Sequence, residues 1–358
     1  MPVSRPENLR PGDHAACRSA IRAGSKSFHA AGLLLPRAVR EPAHGLYAFC
    51  RLADDLVDET HDAAGRVAAV ARLRERIRRA YDGHPVDAAA DRAFAEIVTV
   101  HAIPETLPLA LVEGLEWDAQ GRFYRDVGEL QAYAARVAGT VGAMMTLVMG
   151  VREPEALARA CDLGAAMQFT NIARDVGEDA RMGRLYLPLE WLAEAGIDPD
   201  AFLADPQPSP ALAGVVARLL EEADRLYWRA EAGIAALPAR CRPAIRAASR
   251  IYAAIGREVA RNGYDSVTRR ARVGGGAKLA LAGLSAFPSY TFGRLGAPPL
   301  PETAFLVAAV TALPVARPER GLPSWWDLRG RVLHVLDLIE RLRERESFAR
   351  AAQSEIAG

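Results

Sequence analysis

Residues 46–59 read LYAFCRLADDLVDE. Their apolar members recur at three- and four-residue intervals, the period of an α-helix rather than a strand. On such a helix Tyr47, Arg51, Asp54 and Asp58 fall at i, i+4, i+7 and i+11 and share one face. Leu46, Phe49, Cys50, Leu56 and Val57 can pack around them. A surface helix usually sets acid against base one turn apart. Here Asp54 faces Asp58, which costs about 0.3 kcal/mol in water and more when buried. A divalent cation is the leading candidate to offset that repulsion, and a solvated acidic patch is the plain alternative.

Residues 168–188, QFTNIARDVGEDARMGRLYLP, repeat the design. Asn171, Asp175 and Asp179 stand at i, i+4 and i+8, with Gln168 one turn before them, so four oxygen-bearing side chains share a face. Magnesium is a hard cation, held by one or two carboxylates plus substrate phosphate oxygens. Two such helices facing each other across a cavity would hold metal ions against a diphosphate. Arg51, Arg174, Arg181 and Arg184 would supply fixed cations for the same anion.

The rest of the chain fits this helical reading. Ala, Leu, Arg and Glu dominate and alternating β-branched runs are almost absent, so the expected class is all-α. Breaks are expected at Gly83-His84-Pro85, Glu153-Pro154, residues 199–210, Leu237-Pro238 and Ala297-Pro298-Pro299. None is a long linker. One helical domain over 17–287 is expected, followed by a C-terminal helical extension, 288–358, packed on it or peripheral. Short helices are expected there at 304–312 and 325–346, the second amphipathic. The 45 basic and 44 acidic residues nearly cancel, which gives no pull toward nucleic acid or an anionic membrane. The four cysteines lack metal or disulfide spacing, and the N-terminus lacks a signal peptide's apolar core. The longest uncharged stretches, 137–151 and 279–293, fall short of the ~18 apolar residues of a membrane span, and the first reads as a buried helix.

Taken together, these motifs resemble the squalene/phytoene synthase family of head-to-head prenyl transferases. The resemblance runs over about residues 25–278 and includes SKSF at 25–28, YAARVAGTVG at 133–142, NGYD at 262–265 and RRARV at 269–273 alongside the two acidic motifs. The NGYD and RRARV segments resemble the bacterial phytoene-forming branch more than the squalene-forming one. The resemblance implies a single-domain terpenoid-synthase fold around a deep central cavity. It implies magnesium, with manganese as a substitute, on Asp54, Asp58, Asn171, Asp175 and Asp179. Those four aspartates, with Arg51 and Tyr252, would be catalytic. Ser25, Lys26, Ser27, Tyr47, Arg51, Gln168, Arg174 and Arg269 would meet diphosphate. Lys278 would join them, although the Gly274-Gly-Gly276 run before it departs from the family's aromatic, basic stretch.

The residues themselves allow a wall for the prenyl chain. Tyr133, Val137, Val141 and Met145 form an i, i+4 stripe, and Gly139 and Gly142 permit close approach of a chain or a neighbouring helix. Ala30, Ala31 and Gly32 would leave room for a long chain, or simply for close helix packing. Ser25 also suits a helix N-cap. The implied reaction joins two geranylgeranyl diphosphates through a cyclopropyl diphosphate to phytoene, the first step of carotenoid biosynthesis. The alternatives are a C30 squalene or dehydrosqualene synthase using farnesyl diphosphate and, remotely, a non-catalytic assembly or lipid-binding member. Stimulation by ATP follows from the resemblance, and NADPH is not expected. The expected location is cytoplasmic and peripheral to a membrane. The expected partners are the membrane surface, transiently, and other isoprenoid or carotenoid enzymes, with no nucleic acid.

Overall fold

The computed structural model describes residues 9–58, 63–285 and 294–312, and every element among them is helical. The first six helices are α1 (Asp13–Gly24), α2 (Lys26–Gly32), α3 (Arg37–Asp58), α4 (Ala63–Tyr81), α5 (Ala89–Val100) and α6 (Thr106–Ala119). Then come α7 (Val127–Ala134), a π turn (Ala135–Gly139), α8 (Thr140–Val148) and α9 (Pro154–Arg181). The series closes with α10 (Leu189–Glu194), α11 (Pro199–Ala204), α12 (Pro210–Ala236), α13 (Arg242–Arg261), α14 (Gly275–Leu284) and α15 (Pro301–Thr311). The glycine- or proline-marked breaks noted in the sequence fall at helix ends or between helices, except that the first half of 199–210 forms α11, which Pro199 opens and the Asp198 side chain caps.

The hub is α9. Pro154 opens it, where the missing N–H costs nothing, and Gly183 stops the chain at φ +73° just beyond it. Small buried residues such as Ala158, Cys161, Gly164, Ala165, Ala173 and Gly177 let α12, α13, α8 and the π turn pack closely around it. At two glycines a side chain has no room. A Cβ on Gly164 would lie 2.3 Å from the Ala138 carbonyl oxygen, and one on Gly142 would lie 2.3 Å from that of Ala160. These glycines therefore serve helix-to-helix approach. The sequence suggested one unbroken helix through 133–145. Instead the π turn inserts an extra residue after Tyr133, and Gly164 is the position that accommodates its displaced backbone.

A second device ties residues 294–298 to the hub. The fully buried Arg159 donates to Asp162 (2.8 Å) and to the Ala297 and Pro298 carbonyls (2.8 and 3.2 Å). Arg229 adds a bond to Pro298 (2.9 Å) and one to Asp162 (3.1 Å). A charge pair inside a protein persists only when its remaining donors are satisfied, as they are here by carbonyls. This strap leads into α15, which buries Thr303, Leu306, Val307 and Val310. A helix expected at 304–312 is thus present and packed on the bundle. The expected boundary at 287/288 and the expected helix at 325–346 lie outside the described residues. The compact unit extends to Leu313, and residues 314–358 also lie outside the described ones. Among the described residues no helix is long and apolar enough to cross a membrane.

Candidate active site

A cavity of roughly 1460 Å³ opens between α2, α3, α6, α7, α9, α13 and α14. Ser25, Lys26, Ser27, Tyr47, Arg51, Asp54 and Asp58 line one side of it, and Gln168, Asn171, Arg174, Asp175 and Asp179 line another. Tyr133, Val137, Val141 and Tyr252 complete the wall. A second, apolar pocket of about 300 Å³ branches from it and shares Phe28, Tyr47, Cys50, Val137, Val141 and Gln168. Ala31, Gly32 and Met145 lie along this branch. A polar chamber therefore continues into a greasy slot, the shape required by a molecule with a charged head and an apolar tail.

On each acidic helix one motif aspartate is gripped closely by arginine and the other has a raised pKa. On α3, Arg184 donates to Asp58, while Arg51 bonds Asp55 (3.1 Å) and reaches Asp54 only at 3.4 Å. Asp54 is open to the cavity but walled by protein on most sides; burial first, and then the charge of Asp58, push its pKa up to about 6. On α9, Asp175 receives Arg174 (2.8 Å) and Arg270 (2.9 Å), and Arg270 also pairs with Glu178 (2.9 Å). Asp179 is pushed up to about 7 by burial and then by Asp175.

Two sequence expectations change. Arg269 is exposed and does not line the cavity; its neighbour Arg270 takes the place beside Asp175. The cause is local: Gly177 has no Cβ, which would lie 2.7 Å from the Val267 carbonyl oxygen, so the chain at 266–267 lies directly on α9. Gly177 N–H donates to Ser266 (2.9 Å), and this seat aims Arg270 inward. Arg181, read from the sequence as a fixed cation for diphosphate, donates instead to the Val267 carbonyl (2.8 Å) and holds the same segment. Ser25 does cap α2, accepting from Phe28 N–H (3.2 Å), and still lines the cavity beside Tyr252, to which it is hydrogen-bonded. Burial raises the Tyr252 hydroxyl to about 12, and its ring stacks on Phe28 at 5.1 Å. Lys278 lines the cavity, its pKa lowered by burial and then by Lys26 and Arg174.

Asp118 escaped the sequence reading. It sits on α6, lines the cavity, and accepts hydrogen bonds from Tyr133 (2.9 Å) and Tyr186 (2.7 Å). Burial raises it to about 6. It follows Glu113 and Glu116 on the same helix at spacings that put no second acid on its face, so only the tyrosines gathered around it reveal it.

The donor set suits a hard cation that substrate helps to hold. Asp54, Asp58, Asn171, Asp175 and Asp179 offer only oxygen, and two of them are poorly stabilised as bare anions. No three His, Cys, Asp or Glu side chains among the described residues gather as a ready-made cage. Such a site fits an ion completed by phosphate oxygens rather than one bound by protein alone.

The sequence profile described as squalene/phytoene synthase matches residues 21–276. The chain belongs to the squalene/phytoene synthase family. It is 55% identical to a phytoene synthase of Rhodobacter capsulatus over 303 residues, 83% of this chain and 89% of that one. It is 40% identical to a 15-cis-phytoene synthase of a Paracoccus species over 74% of this chain and 88% of the relative. Among solved structures, a dehydrosqualene synthase in complex with ligand superposes with a TM-score of 0.70 at 29% identity, covering 76% of this chain and 95% of that chain. The squalene synthase HpnC of Alicyclobacillus acidocaldarius gives 0.64 at 26% identity, covering 73% and 99%. The family's helical terpenoid-synthase fold is thus the fold of this chain.

Proposed function

We propose that the chain is a magnesium-dependent phytoene synthase that condenses two geranylgeranyl diphosphates. One observation carries the reading: both acidic helix faces line a single chamber that continues into an apolar branch. Magnesium on Asp54, Asp58, Asn171, Asp175 and Asp179, or manganese in its place, would offset diphosphate charge and make it a leaving group. Arg51, Arg174 and Arg270, with Lys26 and Lys278, bind the remaining negative charge. The allylic C–O bond of one substrate then breaks, and the electron pair leaves with the diphosphate. The double bond of the second substrate attacks the cation, and loss of a proton closes the cyclopropyl ring. A second C–O cleavage, rearrangement and proton loss give the C40 triene. Val137, Val141 and the branch beyond them keep water from the cations. NADPH has no step in this route, and any ATP effect would be regulatory.

The names of the relatives with 54–55% identity support the C40 product, while a C30 product is the reading favoured by the solved neighbours. Purified protein given geranylgeranyl or farnesyl diphosphate with magnesium and no NADPH separates the two by mass spectrometry. C40 phytoene is the expected product, and a C30 product alone would sink the proposal.

A further inference from the structure

The near-zero net charge of the chain hides a strong segregation. Residues 14–40 hold Arg18, Arg22, Lys26, Arg37 and Arg40 and no acid. Residues 266–301 hold Arg269, Arg270, Arg272, Lys278 and Arg294, again with no acid. The fold brings these stretches together, since α2 packs on α14. The acids of the cavity come from α3, α6 and α9, so its α2–α14 side is purely cationic.

That same side is greasy. Helix α14, GGAKLALAGL, has no buried residue, and its one charge, Lys278, is half-buried toward the cavity. Leu279 is 75% exposed and Leu284 59%, and beside them at the end of α2 Leu33 is 57% exposed and Leu34 39%. Leu33 and Leu279 also line the cavity, so they stand at its rim. Large apolar side chains exposed close together on a soluble surface often mark an interaction site.

We propose that the α2–α14 rim is the face by which the protein rests on an anionic lipid bilayer. Leu33, Leu34, Leu279 and Leu284 enter the interface while exposed cations not assigned to diphosphate, Arg269 and Arg272, meet anionic headgroups. A rigid protein partner seated there would seal the cavity rim. A fluid bilayer covers the leucines and still lets a prenyl chain pass between membrane and cavity. The inference rests on reading the cavity as a prenyl-chain site, and it specifies where that chain enters and leaves.

The test is flotation of the full chain with phosphatidylcholine vesicles, with and without phosphatidylglycerol. Leu34→Ser/Leu284→Ser is the variant, because neither residue lines the cavity. The wild type should float with anionic vesicles and release them at high salt. The variant should bind them at least about tenfold more weakly, with unchanged turnover of detergent-dispersed substrate. Equal flotation of variant and wild type, or equal binding to neutral vesicles, overturns the proposal. So does a lipid-free wild-type dimer that the variant breaks, since the face would then be a contact between copies. Absence of C40 product in detergent with flotation intact would sink the functional reading alone.

Discussion

The two acidic helices present the same residue types to one cavity but are built differently. Helix α9 is the buried hub, and its Asp175 is gripped by Arg174 from its own helix and by Arg270 from a segment seated on Gly177. Helix α3 packs against α1 and α5, and the arginine that grips its Asp58 comes from beyond the end of α9. The member whose pKa is raised is Asp54 on α3 and Asp179 on α9. Each helix thus pairs a carboxylate neutralised by arginine with one that awaits a cation. The difference lies in support: Arg184 stands in the turn directly after α9, whereas Arg270 arrives on a segment distant in sequence that must be seated on Gly177.

The largest expected effect comes from removing the acids. Asp54→Ala and Asp179→Ala should each lower product formation by about 10³-fold, and chelation of the metal should abolish it, measured as labelled phytoene. A variant that keeps near-normal turnover would show that its helix does not serve the metal. Next is the seat of the α9 half. Gly177→Ala should lower turnover by about 10²-fold by shifting the segment that carries Arg270. Its denaturation midpoint should fall by an amount equivalent to about 1–3 kcal/mol. Smaller again is Arg270→Ala, with a loss of about tenfold or somewhat more, whereas Arg269→Ala should stay near wild type. The reverse order would mean that the segment turns over when substrate binds.

The smallest effect is the pH dependence. Carboxylates raised to about 6 and about 7 hold their protons to higher pH than free ones, and a metal must displace those protons. Magnesium affinity should therefore strengthen as pH rises through 6 to 7, with proton release seen by calorimetry in buffers of different ionisation enthalpy. The metal-free protein should change the other way. The neutral acids favour the folded state, so its stability should fall as pH rises through the same window, by about 2 °C in melting temperature. Asp179→Asn should flatten the upper part of both curves.

Both acidic faces were legible in the sequence because a helix fixes the angle between residues a few positions apart. The same logic names Tyr47, Gln168, Asn171 and Arg174, all on the cavity wall. It stops where the helices stop. Beyond Arg261 the chain has no regular period until α14, so nothing local says whether Arg269 or Arg270 turns inward. A contact between Gly177 and Val267 decides it. Arg181 looked free for a related reason: its partner is a backbone carbonyl, which any residue supplies. Summing charge over the chain likewise missed the cationic α2–α14 side, because the balancing acids lie elsewhere.

The π turn at Ala135–Gly139 makes chain length itself a constraint. A π turn carries one residue more than the α turn it replaces, while the helices on either side keep their phase. Losing one of these five would therefore restore regular helix from α7 into α8 and withdraw the backbone at Ala138 that Gly164 makes room for. A single-codon insertion would instead add about 100° of rotation between Tyr133 and Val141. In a library of insertions and deletions this turn should tolerate a lost residue better than a gained one.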